Sequence, residues 1–159
     1  MCAKTRVSSG SEWEDRVGYS RLIKSRPVVE VSGTVAVDDK GKVQGNGDPY
    51  AQARFVLDKI GKVLKRAGIS LQDVTRTRIY VKDIDHWPEV SRAHREVFGN
   101  IRPSSTMVEV GRLILPDLLV EIEVSAMTEA QHCYAYPRPA LTTDILLTRN
   151  TESGLQLLL

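Results

Sequence analysis

The sequence predicts an α+β domain in which two helices cover one face of a mixed sheet of about five or six strands. Segments whose side chains alternate between apolar and polar recur along the chain, and such alternation is typical of strands. Only two segments have the helical repeat of apolar residues, so they cannot cover both faces of that sheet. The uncovered face carries apolar and polar residues together, which favours association with other copies of the chain.

The first strands follow a polar lead-in that ends near Glu14. Residues 19–23 predict a short strand, and residues 28–32, which are rich in β-branched side chains, predict a second. Gly33 either lets the backbone approach a neighbour or a ligand closely or marks a β-bulge. The residues alone favour the bulge. Residues 34–37 continue the sheet.

Two amphipathic helices follow, separated by a strand at residues 74–82. Asp48 as N-cap and Pro49 as the first helical residue predict the start of the first helix, and Gly68 predicts its end. We expect its polar face to be solvated, and this face comprises Gln52, Arg54, Asp58, Lys59, Lys62, Lys65 and Arg66. The second helix covers about residues 87–98. On the intervening strand, the predicted faces are Thr75, Thr77, Ile79 and Val81 on one side and Arg76, Arg78, Tyr80 and Lys82 on the other.

Residues 102–127 predict two more strands, joined by a short turn at residues 115–117. The second strand has an apolar face made of Leu118, Val120, Ile122, Val124 and Ala126. Glu121 and Glu123 lie on its opposite face, beside a strand that carries small hydroxyl residues. These glutamates form either the wall of a polar cleft or a solvated strand face, and the pattern alone favours the solvated face.

Composition and motifs exclude several classes of protein. The net charge of +2 is too small to favour a nucleic-acid partner. Cys2 and Cys133 have neither metal nor redox spacing, so we expect no disulfide and a reducing compartment. No leader and no long apolar run is present, which favours a cytoplasmic protein without a membrane segment. The spacing of His86, His94 and His132 predicts no metal site, and no nucleotide or cofactor motif is found.

Several motifs, in order along the chain, resemble the RidA/YjgF family, also described as endoribonuclease L-PSP-like. They are Val17-Gly-Tyr-Ser20, Val31-Ser-Gly-Thr34, Tyr80-Val-Lys-Asp83, and a Ser/Thr segment followed by Val108-Glu-Val110 and Val120-Glu-Ile-Glu123. The resemblance covers about residues 8–128, so we expect one domain at residues 1–128 and an appended tail at 129–159. It implies a chorismate-mutase-like mixed sheet with two helices on one face, in a homotrimer whose sheets close into a central barrel.

The resemblance also implies a site in each cleft between subunits. The residues expected to line it are Tyr19, Ser32, Gly33, Ser91, Ser105, Met107 and Glu121. In the deaminating members an arginine holds the substrate carboxylate, while the residue matching Glu121 positions water for attack on an imine carbon. Ser105 occupies the arginine's position here and offers no charge and a short reach. We therefore expect weak or no hydrolysis of 2-iminopropanoate. Robust turnover would instead indicate that another cation, Arg21, Arg76 or Arg78, replaces the arginine.

The sequence thus predicts a homotrimer that binds a small molecule in its intersubunit clefts, with no cofactor. If the protein is an enzyme, we expect hydrolysis of an enamine or imine, with Glu121 as the acid/base group. The alternative is a non-catalytic ligand-binding or interaction protein that uses the same cleft. A third activity described for the family is RNA cleavage with inhibition of translation. The sequence gives it little support, because it contains neither a His-paired catalytic site nor a basic, aromatic groove.

Overall fold

The computed structural model of the protein describes residues 4–128, 147–151 and 154–158. Its strands are β1 (Thr5–Val7), β2 (Leu22–Ser25), β3 (Val28–Val35), β4 (Val74–Val81), β5 (Ser104–Glu109), β6 (Val120–Met127), β7 (Leu147–Thr151) and β8 (Gly154–Leu158). Its helices are α1 (Glu12–Val17), α2 (Pro49–Arg66) and α3 (Trp87–Phe98). No helix of the described residues is both long and apolar enough to cross a lipid bilayer.

Six of the strands form one mixed sheet in the order β1-β2-β3-β6-β4-β5. Neighbouring strands are antiparallel except β4 and β5, which are parallel. Helix α2 contacts β3, β6 and α3, and both helices bury their apolar residues in the same core as the sheet. The predicted α+β class is confirmed, with the helices on one face of the sheet.

The alternation predicted for β6 is confirmed. Val120, Ile122 and Ala126 are completely buried on the helix side, whereas the glutamates between them are half-buried on the other side. Strand side chains point alternately to the two faces, so burying one face fixes the whole set. Glu121 and Glu123 therefore project from the face that the helices leave open.

The prediction that β5 and β6 are adjacent strands joined by a short turn is wrong. β4 lies between them and pairs with both. The glutamates of β6 thus have Arg78 and Tyr80 of β4 as neighbours rather than the hydroxyl residues of β5. Parallel pairing of β4 with β5 requires a crossover, which α3 supplies.

Two β-bulges interrupt the sheet. The register between β3 and β6 shifts between Val31 and Thr34, so the bulge expected at Gly33 is confirmed. A second shift, between β4 and β6, lies between Val74 and Arg76. Val74 is buried with Thr77 while Thr75 is exposed, so the prediction that Thr75 shares a face with Thr77, Ile79 and Val81 is wrong.

Helix α2 begins and ends where the sequence predicts. The Asp48 side chain accepts a hydrogen bond from the backbone N–H of Ala51 at 3.0 Å, and Gly68 has a φ of +69° just after the last turn. The expected solvation of Gln52 is wrong, because this residue is completely buried. Its Nε2 donates to Asp117 O at 2.8 Å and its Oε1 accepts from Leu119 N at 2.8 Å, so both ends of the amide are satisfied.

The lead-in and the tail were both expected to be irregular, but each contains regular secondary structure. The lead-in contains β1, which pairs with β2, and α1, whose N-cap is Ser11. Strand β2 begins at Leu22 rather than at Tyr19. In the tail, β7 and β8 pair with each other as a separate two-stranded sheet, although the sequence showed no strand pattern there. The rest of residues 129–159, with Cys133 and His132, lies outside the described residues.

Candidate functional site

A cavity of ≈ 820 Å³ opens at the bulge of β3. Four of the residues predicted for the site line it, namely Tyr19, Ser32, Gly33 and Glu121. Its other walls come from the segment around α1, from the loop after β3 and from Lys59 of α2. The cavity is within the usual size range of small-molecule sites, which is roughly 300–1,000 Å³.

Glu121 packs its carboxyl group directly on Gly33. A Cβ at position 33 would overlap Oε1 of Glu121, so only glycine leaves room for this carboxyl. Both interpretations of Gly33 therefore hold, since the residue marks a bulge and also permits a close approach. Burial raises the pKa of Glu121, with the charge of Arg21 opposing this and that of Glu123 adding to it. A carboxyl group with a raised pKa can exchange protons closer to neutral pH.

Arg21 organises the wall of the cavity beside Glu121. Its Nη1 donates to the backbone carbonyl of Gly33 at 2.6 Å and to Oγ1 of Thr34 at 3.2 Å. Its Nη2 donates to the hydroxyl of Tyr19 at 2.6 Å. Because the Tyr19 oxygen accepts this bond, its own hydrogen remains able to point into the cavity. Arg21 thus holds the bulge and the tyrosine in one arrangement.

Glu14 of α1 is buried beside Arg21, although it does not itself line the cavity. Its Oε1 accepts from Ser9 N at 2.9 Å and from Ser9 Oγ at 2.6 Å, and lies 3.9 Å from Nε of Arg21. Burial alone would raise the pKa of Glu14, but hydrogen bonds from Ser9 and Ser8 and the charge of Arg21 lower it overall. The ionised Glu14 therefore neutralises Arg21.

Lys59 enters the cavity from α2, and its predicted place on a solvated helix face is wrong. Its Nζ donates to Val37 O at 2.6 Å and lies 3.5 Å from Val35 O. Burial lowers the pKa of Lys59, the charge of Arg21 lowers it further, and Asp39 and Asp38 oppose the shift. Among the residues that the structure describes, no carboxylate lies within ion-pair distance of this ammonium.

The remaining predicted residues form a second group beside α3. Ser105 pairs with Thr77 across β4 and β5, and Thr77 Oγ1 donates to Ser105 Oγ at 2.9 Å. The same Thr77 oxygen lies 3.0 Å from Nε2 of His94, whose pKa is lowered by burial. Met107 packs partly against the core, and Ser91 borders a shallow surface depression next to His94.

Within one chain, the cavity residues around Glu121 and the residues around Ser105 do not come together. Ser105 shares the helix-facing side of the sheet with the buried Thr77, whereas Glu121 projects from the opposite face. A cleft that contains both groups therefore needs residues from two copies of the chain. That shared cleft stays a prediction.

Sequence reasoning named Arg21 only as one of three cations that could replace the missing arginine, and it missed Lys59 as a cavity residue. Arg21 follows Tyr19 by two residues, and the alternation of an extended chain could have placed both on one side. Lys59 had no comparable signal, because a helix pattern does not show which flank reaches a cavity. Arg78, another candidate cation, is paired with Glu123 at 2.7 Å. No cluster of metal-ligating side chains occurs in the described part of the chain.

The mixed sheet, the helices on its one face and the bulge that carries a buried glutamate define an α+β protein of the YjgF-like fold. A family profile described as endoribonuclease L-PSP matches residues 10–128. The chain belongs to this family, which is the RidA/YjgF family that the motifs resemble.

Individual relatives agree with this assignment. The crystal structure of a Mycobacterium tuberculosis member of the YjgF/YER057c/UK114 family is 49% identical, with a TM-score of 0.72, and covers 79% of this chain and 100% of that one. The 3-aminoacrylate deaminase RutC of Acinetobacter baylyi is 38% identical over 104 residues, which are 65% of this chain and 82% of that protein. An uncharacterised Streptomyces coelicolor protein is 36% identical over 128 residues, or 78% of this chain and 92% of that one.

Proposed function

We propose that the protein hydrolyses a small enamine or imine in the cavity lined by Glu121. An enamine first tautomerises to the imine by gaining a proton at carbon and losing one from nitrogen. Water then adds to the carbon of the C=N bond, and the C–N bond breaks to give a carbonyl compound and ammonia. The observation that carries this proposal is the half-buried carboxyl of Glu121, with its raised pKa, against the bulge at Gly33. The relationship to 3-aminoacrylate deaminase RutC supports the same reaction class.

Glu121 supplies the proton transfers that this reaction needs. As a carboxylate it accepts a proton from the attacking water, and as an acid it protonates the leaving nitrogen. A raised pKa suits both steps, because the group is more easily reprotonated near neutral pH than an ordinary glutamate. No described residue donates a hydrogen bond to this carboxyl, so it remains available to water and substrate.

A homotrimer with a site in each cleft between subunits completes the proposal. The open face of the sheet exposes large apolar residues, among them Ile23, Val28, Val108 and Met127. Such a face gains from burial against other copies. Light scattering should give about three times the chain mass of 17.7 kDa. A monomer at micromolar concentration would contradict a cleft built from two copies.

The test of catalysis compares Glu121→Gln with Glu123→Gln. A flavin-dependent amine oxidase generates an imine without a carboxylate, so that Ser105 does not limit the reaction, and the assay measures how far the protein reduces capture of this imine by semicarbazide. We expect Glu121→Gln to lose activity by on the order of a hundredfold or more. Glu123→Gln, two residues along the same strand face, should retain most of it, because Glu123 is paired with Arg78 and burial, rather than Glu123, is the main cause of the raised pKa of Glu121. Equal activity in wild type and Glu121→Gln would rule out the acid/base role.

Non-catalytic ligand binding is the second candidate, and Ser105 is the observation that favours it. This residue lacks the charge with which the deaminating members hold a substrate carboxylate. Saturable binding without turnover would support this candidate over the hydrolase. RNA cleavage, the third activity considered from the sequence, gains no support from any described residue.

A further inference from the structure

We propose that Lys59 binds the carboxylate group of the small molecule that enters the cavity. The inference rests on the proposed function only in placing a ligand in that cavity, because binding by Lys59 does not require turnover. It assigns a ligand contact to helix α2, where the sequence indicated a solvated surface.

The first argument comes from the other buried cation. Arg21 lines the same cavity, but its guanidinium is engaged by the Gly33 carbonyl, the Tyr19 hydroxyl and Thr34. Its charge is also matched by Glu14, whose Oε1 lies 3.9 Å from Arg21 Nε. Arg21 Nε makes no hydrogen bond, but it is buried with the Glu14 carboxylate near it. An incoming anion would therefore have to displace Glu14 or break the contacts of the guanidinium, and a partly desolvated network of this kind is costly to disrupt.

The second argument is that no carboxylate in the described part of the chain forms an ion pair with Lys59. Its hydrogen bonds go to backbone carbonyls, chiefly that of Val37, and the ring of Phe55 lies 5.9 Å from its Nζ. The charges that act on it are Arg21, which repels it, and Asp38 and Asp39, which attract it. Asp38 itself is held by the backbone N–H groups of residues 40 and 42, both at 2.9 Å. A ligand carboxylate would supply the counter-charge that Lys59 lacks.

The third argument is position. Lys59 and Glu121 line one cavity, and the charge of Arg21 acts on both of them. A ligand that places its carboxylate at Lys59 therefore occupies the cavity that the proposed acid/base group also lines. This arrangement assigns the carboxylate-binding role to Lys59 rather than to Ser105, which does not line this cavity within one chain.

The experiment measures binding of pyruvate, a stable carbonyl analogue with a carboxylate, and of pyruvamide, its uncharged counterpart, by calorimetry. We expect Lys59→Met to weaken pyruvate binding at least about tenfold, and Lys59→Arg to restore most of it. Pyruvamide binding should be the same in all variants. Lys62→Met is the matched control, because Lys62 lies on the same helix and pairs with Asp58 in solvent at 2.6 Å.

Two readouts on the wild-type protein avoid dependence on the folding of a variant. Pyruvate should protect Lys59, and not Lys62, from acetylation as mapped by mass spectrometry. Pyruvate affinity should also fall as pH rises, at a lower pH than for an ordinary lysine, because burial lowers the pKa of Lys59.

Three results would overturn the inference: unchanged pyruvate affinity in Lys59→Met, equal acetylation of Lys59 with and without pyruvate, or no saturable binding of pyruvate to wild type. A different result separates the two proposals. Lys59-dependent binding of pyruvate, with no imine hydrolysis by wild type or no effect of Glu121→Gln, would refute only the hydrolase.

Discussion

Gly33 and Glu121 lie so close that the glycine's absent Cβ is what makes room for the glutamate's Oε1. The two residues sit on adjacent antiparallel strands, at the bulge that shifts the register of β3 against β6. The glycine therefore determines where the carboxyl can be. A side chain of any size at position 33 would compete with Glu121 for the same volume.

Gly33→Ala should displace Glu121 and reduce pyruvate affinity and imine hydrolysis by about tenfold or more. The matched control is Gly61→Ala, since a Cβ there meets no atom within 4 Å. Alanine at this helical position should raise stability by about 0.5–1 kcal/mol. Activity and melting temperature of both variants check the prediction, and full activity in Gly33→Ala would show that the carboxyl can adapt.

Arg21→Met should destabilise the fold by roughly 3 kcal/mol, because it leaves Glu14 buried without its cation and frees the Gly33 carbonyl. Arg78→Met removes an ion pair that is considerably exposed and should cost at most about 1 kcal/mol. Urea unfolding of the two variants gives the comparison. Similar losses for both would mean that Arg21 is not a structural cation.

His94 should make the protein less stable as pH falls. Burial lowers the pKa of His94, so the folded state favours the neutral ring. This contribution is fully present above the unfolded pKa, about 6.5, and is lost as pH falls below it. Thermal melts at pH 7.5 and 5.5 should show a smaller loss in His94→Gln than in wild type.

Glu121 contributes in the opposite sense, because its raised pKa favours the folded state as pH falls. The comparison is therefore best made in a Glu121→Gln background, where only His94 differs. An NMR titration of the His94 ring at or above 6.5 would contradict the expectation.

Truncation after Thr128 should leave a folded protein. The hydrogen bond from Thr128 N to Pro27 O, at 2.8 Å, is retained in such a variant. The tail strands β7 and β8 pair with each other rather than with the main sheet. Circular dichroism and the melting temperature should be close to those of the full chain, whereas insolubility would show that the tail packs on the core.

Local patterns in the sequence were sufficient for much of this fold. Helix α2 has its N-cap at Asp48 and its terminal glycine at Gly68, and both signals act within a few residues. The alternation along β6 also follows from burial of one face. These features depend on neighbours in the chain, so a single sequence contains them.

Features that depend on distant residues were not predicted. The position of β4 between β5 and β6 is a long-range pairing, and no turn or spacing signals it. Gln52 and Lys59 look like ordinary polar helix residues, yet one is buried by the segment before β6 and the other by the loop after β3. The glutamate of the site was found from its motif, and Arg21 was one of three candidate cations, whereas the place of Lys59 in the cavity became visible only in three dimensions.

The amide of Gln52 gives α2 a fixed position along its own axis. A purely apolar helix surface tolerates a shift by one turn, about 5.4 Å, but this amide must meet one carbonyl and one N–H at the same time. Lys59 follows Gln52 by seven residues, or about two turns, on the same side of the helix. The position of the Lys59 ammonium therefore depends on a hydrogen-bonded residue in the first turn of α2, Gln52, which lies outside the cavity that Lys59 lines.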